Sequence, residues 1–190
     1  MAATSFLRGA RASRRLTQDH VARVAGTSVP NVSSIEAGRR IPRVDTLDRL
    51  LRATGSRLGV LPTTREGALE ASIEIRAAIE GNDADAAFRA WLTYSDALAV
   101  ESAVNRVVLA AHPPQPTGTD VYDAALAAVS EFRLQEVDAP IPDWVNDSPT
   151  CDPEVVLGDL ATLPRELLGD TPAAFLIRGL VIDRASLDPA

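Results

Sequence analysis

Apolar positions recur at helical spacing along almost the whole chain. Phe6, Leu7 and Ala10 share one face, with Arg14 one turn on and other arginines opposite. Thr17 has the chemistry of an N-cap for Gln18–Val24, whose Val21 and Ala22, with Ala25 beyond, face inward. Ala25-Gly26-Thr27 reads as a tight turn, and Ser28 as the cap of Val29–Glu36. Pro30 is tolerated there because it falls in the first turn, where a missing N–H has no helical partner to lose. Gly38 stands where a left-handed residue ends a helix, and Ile41-Pro42 is a break. Asp45 or Thr46 opens the next helix, which runs to Thr54 with Leu47, Leu50 and Leu51 as its stripe. Arg57–Leu61 then reads as a short strand before Pro62, in need of a second strand such as its own copy in a dimer.

Thr63–Gly67 forms a joint, after which the helical segments lengthen. They cover 68–80, 83–100 (Ala87, Trp91, Tyr94 and Leu98 on one face), 102–111 (Val104, Val107 and Val108 inward) and 120–136 (Val121, Ala125, Leu126, Val129 and Phe132). A loop rich in helix breakers lies at 112–119, and a proline-punctuated stretch around Trp144 at 137–153. Two short helices, near 163–168 and 172–178, precede a short strand at 179–182. The expected fold is therefore mainly α. A five-helix-type helix-turn-helix domain with a short terminal strand spans 1–62, and a mostly helical domain with little β spans 63–190.

Composition agrees with close helix packing: 46% of the 190 residues are hydrophobic but only 4% aromatic. No apolar run reaches about 18 residues, and the first residues lack an apolar signal core, so a cytoplasmic protein is expected, nucleoid-associated when on DNA. A single cysteine, Cys151, forms no internal disulfide. The charge changes the picture once it is divided. Residues 1–62 hold 11 arginines and 4 acids, a surplus of +7; residues 63–190 hold 8 arginines and 22 acids, a deficit of −14. A basic head on an acidic body implies two surfaces with different partners.

The head carries the stronger chemistry. A helix, a Gly-containing turn and a second capped helix, from Thr17 to Gly38, is the helix-turn-helix plan. With Val32 and Ile35 pinning the second helix, Val29, Pro30, Asn31, Ser33 and Ser34 are left outward, short and uncharged, as a helix lying in a major groove requires. Leu16-Thr17-Gln18, Val21-Ala22, Ala25-Gly26, Ser28, Val32, Ile35-Glu36, Gly38, Pro42, Thr46-Leu47 and Leu50 together resemble the phage-repressor (XRE-type) helix-turn-helix family over about 6–62. The resemblance implies that Gln18 bonds a phosphate and Ser28 the DNA backbone. It implies that Asn31 and Ser34 meet base edges, Val29 a thymine methyl, and Arg39, Arg40 and Arg43 phosphates. Pro30 departs from the polar residue usual at its position, leaving an apolar contact there. A homodimer on a palindromic operator of double-stranded DNA follows from the same likeness.

The body holds no catalytic set: His20 and His112 lie far apart, Cys151 has no ligand-spaced neighbour, and no phosphate-cradling loop occurs. No enzyme activity, metal or cofactor is expected. The segments Ala139–Val145 and Leu163–Leu187 resemble the C-terminal domain of actinobacterial XRE-type antitoxins paired with nucleotidyltransferase-like toxins. That likeness implies a partner protein, for which Trp144 and Arg178 are the candidate contacts, Trp144 otherwise being a plug under a loop. The alternative is a ligand-responsive transcription factor whose body senses a small molecule in a pocket lined by Trp91, Tyr94 or Phe132.

Overall fold

The structure, a computed structural model, describes residues 2–60, 62–158 and 170–189. The chain divides into two compact units, Met1–Pro62 and Thr63–Ala190.

The first unit has four helices among its described residues: α1 (Ala2–Ser13), α2 (Gln18–Val24), α3 (Val29–Glu36) and α4 (Val44–Ala53). They enclose a core of Leu7, Ala10, Val21, Val32, Ile35 and Leu50, each no more than 2% exposed, with smaller residues between. α4 begins two residues earlier than the sequence suggests at its latest. Arg43 occupies the N-cap position without a side-chain cap bond, directly after the Pro42 break. Residues 57–60 form no strand, and the described residues of this unit hold no fifth helix. Val60 is fully exposed, and a strand without a neighbour has nothing to hold its hydrogen bonds. Leu61 lies outside the described residues.

The second unit is built around α8 (Asp120–Gln135). Packed against it are α5 (Ala68–Glu80), α6 (Ala84–Val100), α7 (Ala103–Ala111), α9 (Asp143–Asn146) and α10 (Ala173–Leu176). The sequence predicts a stripe on α8, yet all seven residues from Ala124 to Ser130 are buried, so the helix is enclosed on every side. Alanines at 124, 125, 127 and 128 permit that close approach. Trp91, Tyr94 and Phe175 are the largest fully buried side chains. Trp91 stacks on Phe88 at 5.6 Å between ring centroids and meets Phe175 edge-on at 6.1 Å.

The tail strand appears as β2 (Leu180–Val181), which pairs in parallel with β1 (Val155–Val156) in the register Val155–Leu180 and Val156–Val181. The expected helix near 163–168 lies outside the described residues. α7 packs the opposite way from expectation. Val104 is 71% exposed and Val108 also faces solvent, whereas Asn105, Arg106, Leu109 and Ala110 are buried. Arg106 decides the orientation. Its guanidinium reaches the Arg133 and Ala99 carbonyls, each at 2.7 Å, and pairs with Glu136 at 2.8 Å. Bonded this fully, the buried cation keeps its face of α7 turned inward.

Candidate nucleic-acid interface

The interface is assembled by two caps and one turn. Thr17 Oγ1 accepts from the His20 N–H at 3.1 Å at the start of α2, and Ser28 Oγ accepts from the Asn31 N–H at 3.4 Å at the start of α3. Each satisfies one of the orphan donors at a helix N-terminus. Gly26, at φ +62°, makes the turn between the helices, and Gly38, at φ +70°, ends α3; side chains rarely adopt either conformation. Val32 and Ile35 are buried, which fixes the rotation of α3 about its axis.

That rotation presents Ser28, Val29 and Pro30 to solvent but leaves Asn31, Ser33 and Ser34 half-buried, less open than the sequence suggests. Pro30 sits in the first turn, as expected. Arg39, Arg40 and Arg43 are all exposed, the Arg43 side chain to 90%. The backbone N–H groups of Arg39 and Arg40 both donate to the Ser34 carbonyl, at 3.0 and 3.2 Å, so the two arginines leave α3 in a fixed direction. Arg40 Nη1 also donates to Asn31 Oδ1 at 2.8 Å, and Asn31 Nδ2 donates to Thr27 Oγ1 at 2.9 Å.

Gln18 has a partner inside the motif: its Nε2 donates to Glu36 Oε2 at 2.8 Å, which braces the inner side and leaves the second amide hydrogen unused. Glu36 in turn is bound by Arg11, through Nε to Oε1 at 2.7 Å and Nη2 to Oε2 at 2.9 Å. Sequence reasoning missed this pair. The available signal was an acid, Glu36, beside Val32 and Ile35 on the inward face of α3, which demands a cation partner.

In the body, Arg178 is 4% exposed. Its nitrogens donate to Ser148 Oγ (2.9 Å), the Ala174 carbonyl (2.7 Å) and the Val145 carbonyl (2.9 Å), and it pairs with Glu131 at 2.7 Å. It is thus an internal tie between α8, α9 and α10, not a contact offered to a partner. Trp144 is half-buried against the core and donates Nε1–H to the Ala110 carbonyl at 2.8 Å, the arrangement of a plug. Trp91, Tyr94 and Phe132 belong to the packed core, not to a pocket wall. Tyr94 shares a 2.8 Å hydrogen bond with Ser130. Burial pushes the Cys151 thiol up, as does the nearby Asp120 charge. Among the described residues no group of His, Cys, Asp and Glu is placed to hold a metal ion, and no helix is long and apolar enough to cross a membrane.

Residues 4–60 match the family model described as helix-turn-helix domain. No curated protein and no solved structure matches the chain. With α2, α3 and their joining turn in place, residues 4–60 are a helix-turn-helix domain of the XRE-like type, and the chain carries the DNA-binding head of a regulator.

Proposed function

We propose that the protein is a sequence-specific transcriptional regulator that binds a palindromic operator as a homodimer and represses its own operon. The observation that carries this reading is the outer edge of α3. Ser28, Val29, Pro30, Asn31, Ser33 and Ser34 are short and uncharged, and Arg39, Arg40 and Arg43 stand exposed beside them. Such an edge enters a major groove without steric conflict while the cations meet the flanking phosphates. The +7 surplus of the head adds long-range attraction to duplex DNA. Gln18 contributes indirectly, by holding Glu36 and with it the orientation of α3.

The test is a footprint of the full chain on the DNA upstream of its own coding sequence, with affinity measured from low to physiological salt. Three arginines per protomer give about six phosphate contacts in a dimer, so affinity should fall on the order of a thousandfold between 50 and 200 mM salt. A flat response overturns the phosphate contacts and the reading built on them.

The acidic body is proposed to hold a partner, so that the chain acts as the antitoxin of a toxin–antitoxin pair with a nucleotidyltransferase-like toxin. A body at −14 attracts a basic protein that itself handles nucleic acid, and covers the surface such a protein needs. The packing of Trp91, Tyr94 and Phe132 into the core favours this reading over a small-molecule sensor. Co-expression with the product of the adjacent gene tests it: growth should stop with the neighbour alone and resume with both. A neighbour that is harmless alone, or toxic in both cases, overturns the antitoxin role.

A further inference from the structure

The Asn31 side chain is held from two sides before any DNA arrives. Arg40 Nη1 donates to Oδ1 at 2.8 Å, and Nδ2 donates to Thr27 Oγ1 at 2.9 Å. The chemistry fixes which end of the amide is which. A guanidinium only donates, so the atom facing Arg40 must be the oxygen, and the nitrogen must then face the Thr27 hydroxyl. Each contact uses half of the amide's capacity. One lone pair on Oδ1 and one hydrogen on Nδ2 remain unused, on a half-buried side chain of α3.

One acceptor site beside one donor is the complement of adenine in the major groove, which offers the N6 amino group as donor and N7 as acceptor. Guanine offers two acceptors there, and its O6 would face the Oδ1 lone pair. A free asparagine escapes that conflict by turning its amide over, at the expense of discrimination. Turning over is blocked here, because it would set the amide nitrogen against the Arg40 guanidinium, donor against donor.

We infer that Thr27 and Arg40 are positioning residues that lock Asn31 into the orientation reading adenine of an A·T pair, so that Arg40 sets base specificity and is not simply a phosphate grip. This rests on the DNA-binding reading above. Thr27 is the more telling of the two, since it carries no charge and sits in the turn, before the recognition helix begins.

Selection from randomised duplexes with the full chain tests the inference, using Asn31→Ala, Thr27→Val, Arg40→Ala and Arg39→Ala beside the wild type. Far-UV circular dichroism confirms that each variant is folded. The wild type should enrich adenine at one position per half-site, and Asn31→Ala should lower that preference by about tenfold. Thr27→Val and Arg40→Ala should lower it at least about threefold, the effect of one lost hydrogen bond, with the other positions unchanged. Arg39→Ala should instead weaken all sequences alike. If Arg40→Ala behaves as Arg39→Ala does, or if Thr27→Val leaves the adenine preference intact, the lock is wrong while the DNA-binding reading stands. If no duplex is enriched by any form of the protein, both fall together.

Discussion

Arg11 on α1 and Glu36 at the end of α3, 25 residues apart, form a two-pronged ion pair with contacts of 2.7 and 2.9 Å, and the Glu36 side chain is 4% exposed. The pair ties α1 to α3. Burial opposes the charged forms, but the parallel hydrogen bonds compensate, and the Arg11 guanidinium is held above its ordinary value chiefly by its bond to Glu36. Removing one partner leaves the other stranded. Arg11→Ala should therefore destabilise the head on the order of 3 kcal/mol, read as an earlier chemical unfolding transition. Arg39→Ala, at an exposed position, should leave that transition in place.

Two glycines with similar backbone angles should respond very differently to alanine. Gly38, at φ +70°, has open space where a Cβ would stand, so Gly38→Ala meets only the left-handed backbone strain, about 1 kcal/mol. Gly179, at φ +66°, would drive a Cβ into the Cys151 carbonyl oxygen, a backbone atom that cannot swing aside. Gly179→Ala should cost more than about 3 kcal/mol, because β2 must move away from the 151 segment. Thermal unfolding of the two variants measures the contrast.

Arg178 and Trp144 were the natural candidates for a partner contact, and both are predicted to act through the fold. Arg178→Ala strands Glu131 and three hydrogen-bonding groups, and should destabilise the body by about 3–5 kcal/mol. Trp144→Phe keeps most of the plug but loses the bond to the Ala110 carbonyl, a loss of about 1 kcal/mol. DNA affinity of the folded Trp144→Phe protein should equal that of the wild type. A drop in affinity with unchanged stability would contradict this assignment.

Burial lowers the pKa of His112, at the C-cap of α7, below its ordinary 6.5. Below pH 6.5 the unfolded chain takes up a proton at this position more readily than the folded one. The stability contributed by the neutral ring is thus present above 6.5 and lost as pH falls through the lower folded value. Measured as a difference, the stability of wild type relative to His112→Gln should decline from pH 7 to pH 5. A constant difference across that range would contradict the burial of a neutral imidazole.

Much of the head was legible because its signals are local. Thr17 and Ser28 both stand at the N-caps that their side chains suggest, each accepting a backbone N–H three residues on. The apolar stripe of α4 and the turn at Gly26 follow from spacing alone. What stayed hidden depends on partners distant in sequence. Nothing near Gln18 announces that it turns toward Glu36, eighteen residues later. On α7 the hydrophobic ranking points to Val104 and Val108, whereas Arg106 wins the interior because Arg133, Ala99 and Glu136 offer it bonds from other helices. Likewise β1 exists only because β2 lies beside it, and two valines in a proline-rich stretch carry no such information.

The enclosure of α8 has a mechanical consequence for the body. Ala124 to Ser130 touch packed neighbours in every direction, so no single outer helix can peel away without opening a void against this shaft. Its amide hydrogens should exchange only when the whole body opens, and whatever grips the outer helices grips a block that moves as one piece.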